Sequence, residues 1–374
     1  MMPESPAPQA PESQATQDAR RAMEVCNACR YCEGFCAVFP AMELHRDFAK
    51  ADLSYLANLC HGCKGCYYAC QYAPPHEFGI NVAKSLAELR QESYGHYAWP
   101  QALSGAFERN GLITALAMSG GIAAVLLLTL LLQQSANMFG VLPMTPGAGF
   151  YLIIPKAVMT LTALAAFAFA LLALAVGFRN FWKESGPAKV SFGDIHQALK
   201  DAASLRYLGG AGHGCNDKDG AFSNQRRYLH HLMAYGFLFC FAATSVGAVY
   251  DLLLGWPAPY PLASLPVLLG MIGGAGIIVG CAGLLWLKMA ADRDPQAPSL
   301  LGADTGLLLL LLLIAITGLL LLGLRSTSAL GVALCIHLGL VLSFFLTMPY
   351  SKFVHGLYRF GALIRYAANQ RPHQ

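Results

Sequence analysis

The chain has 374 residues, of which 56% are hydrophobic and only 12% charged, with a formal net charge of +4. A soluble protein carries about twice that share of charge, so the composition points to a membrane protein. The basic residues are scattered through short connectors without forming a patch or stripe, which excludes nucleic acid as a partner.

Residues 1–20 are rich in Pro, Ala, Gln and Ser, have no apolar core and read as a disordered leader rather than a secretion signal. Residues 21–110 read as a soluble module that ends in the Trp99-Pro100 and Ser104-Gly105 punctuation. Eight of the twelve cysteines fall between residues 26 and 70, and with no secretion signal they are expected to stay reduced in the cytoplasm. They form Cys26-x2-Cys29-x2-Cys32-x3-Cys36 and Cys60-x2-Cys63-x2-Cys66-x3-Cys70, an internal repeat 34 residues apart with proline four positions past each last cysteine, at Pro40 and Pro74.

Cys-x2-Cys-x2-Cys wraps three thiolates tightly enough to grip three corners of a cubane, and the fourth cysteine of such a run reaches the neighbouring cluster. Two [4Fe–4S] clusters are therefore expected, with Cys26, Cys29, Cys32 and Cys70 on one and Cys60, Cys63, Cys66 and Cys36 on the other. Structural zinc, by contrast, uses separated Cys-x2-Cys pairs that close a single tetrahedron. The bacterial ferredoxin run has proline directly after its fourth cysteine, where this chain has Ala37 and Gln71. Between the motifs, Phe48, Ala49, Leu53, Tyr55, Leu56 and Leu59 follow a helical period, so the module is expected to be an α-helical ferredoxin-like one.

Residues 111–374 read as an integral membrane domain, which makes the whole chain mainly α. Six apolar stretches lie at about 112–133, 150–176, 229–250, 264–288, 305–324 and 330–350, each near the about twenty residues that span a bilayer as a helix. Arg179, Lys183, Lys189, Lys200, Arg206, Lys218, Arg226 and Arg227 crowd the connector 178–227, and Lys352, Arg359, Arg365 and Arg371 the tail. The positive-inside rule puts both segments on the cytoplasmic face of the inner membrane, with both termini and the cysteine module. The connectors 134–149, 251–263 and 325–329 hold only Asp251 and Arg325 between them and belong outside. Lys156 is expected to snorkel to that outer interface. Gly270, Gly273, Gly274, Gly276 and Gly280 follow no strand and read as a closely packed helix face, not a nucleotide loop. Cys240, Cys281 and Cys335 read as small packing residues.

Histidine in or beside a membrane helix needs a partner and is a functional candidate. His230 and His231 start the third span; adjacent on a helix, they point about 100° apart and cannot both serve one iron. His337 and His355 belong to the sixth span and its extension, five helical turns apart, with Pro349 between them to kink the helix. His355 shares the cytoplasmic level with His230 or His231, which suggests a bis-histidine b-type haem. His337 lies deeper, where a second haem, a quinone or a neighbouring hydroxyl would be its partner.

Taken together, the twin cysteine motifs, Arg226-Arg227-Tyr228-Leu229-His230-His231 leading to Tyr235-Gly236-Phe237, and Met348-Pro349-Tyr350-Ser351-Lys352-Phe353-Val354-His355 resemble the tricarballylate or citrate utilisation protein B family. The last segment is also similar to the haem-binding gamma subunit of membrane nitrate reductases. That likeness implies His355 and His337 as ligands, with His230 as a partner and Cys240 where a second histidine of that helix would stand. The family implies that a separate FAD-dependent dehydrogenase oxidises tricarballylate, while this protein reoxidises the flavin and passes electrons to membrane quinone. The chain itself has no strand-borne dinucleotide fingerprint or carboxylate-binding catalytic set, which fits an electron-transfer subunit rather than the substrate-oxidising enzyme. A redox subunit of another flavoprotein or anaerobic reductase uses the same modules. A citrate or tricarballylate transporter would leave the clusters without purpose.

Overall fold

The computed structural model describes residues 12–132, 135–187, 189–209 and 214–371. Helix α1 (Gln14–Cys29) starts inside the expected leader, because the Ser13 hydroxyl accepts from the Thr16 amide and Ala19, Ala22 and Met23 form a buried face. Residues 1–11 lie outside the described residues. Between the cysteine motifs come α2 (Val38–Met42) and α3 (Lys50–Leu59), and after the first two cysteines of the second motif come α4 (Gly65–Tyr68) and α5 (Val82–Tyr97). The helical period expected between the motifs is α3: Leu53, Leu56 and Leu59 are fully buried against Leu86 and Leu89 of α5. Each such leucine contributes about 1.5–3 kcal/mol. No strand is present among the described residues, only an isolated bridge between Cys215 and Ser223.

The second half contains α6 (Asn110–Leu132), the short α7 (Ser135–Phe139) and α8 (Phe150–Ile153), α9 (Lys156–Ser185), α10 (Phe192–Ala203), α11 (Gln225–Leu252), α12 (Leu265–Ala290), α13 (Leu301–Leu324), α14 (Leu330–Thr347) and α15 (Val354–Asn369). Six helical segments, α6, α9, α11, α12, α13 with its preceding turn, and α14 continued by α15, are long and apolar enough to cross a membrane. Their outward leucines, such as Leu116, Leu127 and Leu131, remain exposed, as lipid-facing side chains should be. Helix α14 is the hub and packs on α6, α9 and α13; α13 passes on to α12, and α12 to α11.

Two spans differ from expectation, both at prolines. The second begins at Lys156 rather than near 150, because Pro155 separates α8 from α9, and it then runs on to Ser185. Its end places Phe181 against Tyr97 and Tyr358, with ring centres 5.4 and 5.3 Å apart. The sixth is broken, not kinked: α14 stops at Thr347, Met348–Tyr350 make one tight turn, and α15 starts again at Val354. Lys156 does more than snorkel, for its Nζ lies 2.7 Å from Asp251 in the last turn of α11.

The glycine face of α12 packs against α11. A Cβ on Gly236 would lie 2.7 Å from the Gly273 carbonyl oxygen, and one on Gly280 would lie 2.5 Å from the Met233 amide nitrogen. Small residues thus let the two backbones touch. A Gly280→Val variant should push α11 away at a cost of about 1–3 kcal/mol. Thermal unfolding in detergent would read this as a lowered Tm, whereas an unchanged Tm would mean that the contact yields without strain.

The cysteine module sits on one end of the bundle and shares its core. Tyr94, Tyr97 and Phe107 merge with Phe181, Tyr350, Val354 and Tyr358. Arg365 of α15 lies 2.7 Å from Asp52 of α3 and stacks over the Tyr55 ring. Tyr68 donates to Asp292 at 2.6 Å and Asn81 to the Asp294 carbonyl at 3.0 Å, which fastens the α12–α13 connector to the same module.

Candidate functional site

The helices deliver the cysteines in two groups. Cys26 and Cys29 end α1, and Arg30 turns the chain with φ 56°; Lys64, 34 residues later, repeats this turn with φ 66°. Burial, then the neighbouring Cys70, Cys32 and Cys29, push the Cys26 thiol up to about 12. Burial and then Cys63 and Cys60 push Cys36 well above the ordinary thiol range, and Cys66 responds in the same way to Cys63, Cys60 and Cys36. Cys70 thus neighbours the first motif's cysteines and Cys36 those of the second, while Cys32 also neighbours Cys66. Cys26, Cys29, Cys32 and Cys70 border a cavity of about 310 Å³. Four thiolates crowded together repel one another, so each group suits either protonated thiols or a cationic iron core that the thiolates compensate. Among the described residues no three His, Cys, Asp or Glu side chains converge as a single metal ion would require.

The two groups differ in surroundings. The first faces outward beside Tyr31, which is 69% exposed, and Gln71 Nε2 approaches Cys29 Sγ at 3.8 Å. The second turns inward, with Cys60 and Cys63 only 8% exposed. Its loop curls through Gly62 at φ 64°, a conformation that suits glycine. The carbonyls of Cys60, Gly62 and Cys63 have donors from elsewhere. Arg90 of α5 and Arg359 of α15 reach the Cys60 oxygen at 2.7 and 2.9 Å, Arg226 of α11 reaches Gly62 at 2.7 Å, and the Asn216 amide reaches Cys63 at 2.9 Å.

Beneath this loop, His230 and His355 come together with ring centres 6.3 Å apart and planes at 85°. A metal–imidazole bond of about 2.0–2.1 Å to each ring would put the ring centres at about this distance. His355 donates from Nδ1 to the Lys352 carbonyl, which leaves Nε2 as the lone-pair nitrogen, the orientation seen in metal-bound imidazoles. The Nδ1 of His230 is buried and has no hydrogen-bond partner, as is Nε of Arg359. Both rings line a cavity of about 220 Å³ that His61, Lys64, Arg226 and Arg359 also line. His61 is fixed by Nδ1 to the Leu59 carbonyl at 2.9 Å, and burial, then Arg359, hold it well below the usual imidazole range. A haem iron could be held by this pair; unpartnered buried nitrogens and a cavity beside them are what such a group would use.

The other two histidines point elsewhere. His231 turns outward and donates from Nε2 to the Ala203 carbonyl at 3.1 Å. His337 pairs through Nδ1 with Thr317 Oγ1 at 3.0 Å. That hydroxyl already donates to the Leu313 carbonyl at 2.7 Å, so the histidine must be the donor. Cys240 packs on α12, where a Cβ on Gly273 would lie 2.8 Å from its sulfur.

Sequence reasoning missed several residues here. Arg90, Arg226, Arg359 and His61 surround the second cysteine loop, and Cys215, isolated in the sequence, packs with Cys63 in a small buried cluster. Only the four-residue spacing of Arg226 to His230 and of His355 to Arg359 was a visible signal.

A family model described as citrate utilization protein B matches residues 105–374, and one described as the citrate utilization protein B Fer4-like domain matches residues 19–96. The chain is 47% identical over 356 residues to citrate utilization protein B of Escherichia coli, covering 95% of this chain and 92% of that protein. No solved structure matches it. The Fer4-like match falls on the cysteine repeat and suggests an iron–sulfur electron-transfer role, and the six apolar helices support a multi-pass membrane protein. With both halves matched and the identity running along nearly the whole length, the chain belongs to the citrate utilization protein B family.

Proposed function

We propose that this chain reoxidises a partner FAD-dependent dehydrogenase, of the tricarballylate dehydrogenase type, and passes its electrons to membrane quinone. The observation that carries this reading is the order of the ligand sets: an outward cysteine group beside exposed Tyr31, an inward group clamped by Arg226 and Arg359, and the His230–His355 pair beneath it. Two [4Fe–4S] clusters and one b-type haem, when bound, supply one-electron carriage between a two-electron flavin and a two-electron quinone.

In this reading Cys26, Cys29, Cys32 and Cys70 hold the cluster that faces the partner, and Cys36, Cys60, Cys63 and Cys66 the one that faces the haem. His230 and His355 hold the haem. His231 and His337 keep their bonds to Ala203 and Thr317, and this reading assigns them no haem. Residues 21–110 form the cytoplasmic module and residues 111–374 the inner-membrane domain. Both termini are cytoplasmic, as the basic connectors require.

Stopped-flow mixing of the purified protein with reduced tricarballylate dehydrogenase should reduce the haem, and a quinone analogue should then reoxidise it. A haem that stays oxidised with this flavoprotein, yet is reduced by another, would replace the partner. No reduction by any flavoprotein would remove the reading.

A further inference from the structure

The two helices that bear the histidine pair are built alike around the second cysteine loop. On α11, Arg226 stands four residues before His230, and its guanidinium donates to the Gly62 carbonyl at 2.7 Å. On α15, Arg359 stands four residues after His355 and donates to the Cys60 carbonyl at 2.9 Å. Residues four apart on a helix share one face. Each helix therefore presents an arginine to the cysteine loop and an imidazole to the cavity below it.

The charges there are unbalanced. Lys64, Arg90, Arg226 and Arg359 border the loop side of the cavity, and Asp217, 3.7 Å from Arg226, is the carboxylate beside them. The other carboxylate on the cavity wall, Asp304, is already bonded to Lys288 and Lys352. Positive charge held in a poorly solvated junction favours an added electron on any redox centre nearby.

We propose that Arg226 and Arg359 are positioning residues that lock the second cysteine set and the histidine pair into one unit, with their shared positive charge raising the reduction potential of both. The proposal rests on the reading that the second set carries a cluster and the pair a haem. Arg359 Nε, buried and without a partner, leaves the guanidinium a second N–H for an acceptor in the cavity.

The test uses the full-length protein in detergent with Arg226→Gln, Arg359→Gln and the matching lysine variants. Iron, sulfide and haem contents are measured first, then the clusters are titrated by EPR and the haem optically. In the glutamine variants the reduced-to-oxidised ratio of the second cluster and of the haem at a fixed potential should fall about tenfold, which is 59 mV for one electron. The first cluster, away from both arginines, should not move, and the lysine variants should stay near wild type. Unmoved potentials with full cofactor content would overturn the proposal, as would an equal shift in all three centres or a lysine variant that shifts as far as glutamine. If a glutamine variant loses its cofactors, its lysine counterpart decides: wild-type content and potentials support the charge, and loss there too assigns a merely structural role. A wild-type protein without haem would remove the parent reading. The second cluster's shift would still decide whether the arginines act on the cysteine loop.

Discussion

Cys63→Ser should leave about four non-haem irons per chain in place of about eight and abolish reduction of the haem by the flavoprotein, while dithionite still reduces it. Cys63 is 8% exposed, and its loop is held by backbone carbonyls that the substitution does not touch. The loop should therefore keep its course through Gly62, bound to Arg226 and Asn216, with a hydroxyl where the thiolate was. A serine hydroxyl is a poor ligand for iron, because it does not ionise as readily as a thiol. The histidine pair belongs to α11 and α15 and takes nothing from the Cys63 side chain, so haem content should not change. Stopped-flow mixing with reduced flavoprotein should show the haem signal fall to the rate of buffer controls. Haem reduction at the wild-type rate would exclude the second cysteine set from the path.

What could be read from the sequence divides by distance along the chain. The repeat of Cys-x2-Cys-x2-Cys-x3-Cys was legible from spacing alone, and the structure brings Cys70 to the cavity that Cys26, Cys29 and Cys32 border. Helix α3 was legible from the period of Leu53, Leu56 and Leu59. At Pro349 the sequence announced a disturbance but not its extent. The helix stops because Pro349 has no N–H to donate, and across the break the Ser351 hydroxyl donates to the Met348 carbonyl and accepts from the Phe353 amide. Lys156 looked like a snorkelling residue, since its partner Asp251 is 95 residues away. Arg226 and Arg359 registered only as positive charges that orient the membrane, because their acceptors at Gly62 and Cys60 are remote in sequence. The angle between His230 and His231 showed that one of them must turn away, and the carbonyl of Ala203 on α10, a tertiary neighbour, takes His231.

That choice between adjacent histidines gives the second large effect. His355→Ala and His230→Ala should each remove the low-spin haem signal, while non-haem iron and sulfide stay at about eight each per chain. Each variant withdraws one of two imidazoles whose centres are 6.3 Å apart and leaves all eight thiols of the cysteine repeat in place. His231→Ala removes only a bond to the Ala203 carbonyl, worth about 0.5–1.5 kcal/mol, and should retain the haem. His337→Ala frees the Thr317 hydroxyl, which still donates to the Leu313 carbonyl, and should retain it too. The pyridine haemochrome assay and dithionite-reduced spectra of the four purified variants measure all of this. Unchanged haem in His355→Ala would show that α15 supplies no ligand, and the six-ångström pair would then be only two buried rings. Loss of haem in His231→Ala, with retention in His230→Ala, would rotate α11 by about 100° about its axis relative to this structure and move the site to the face that meets the Ala203 carbonyl at the end of α10.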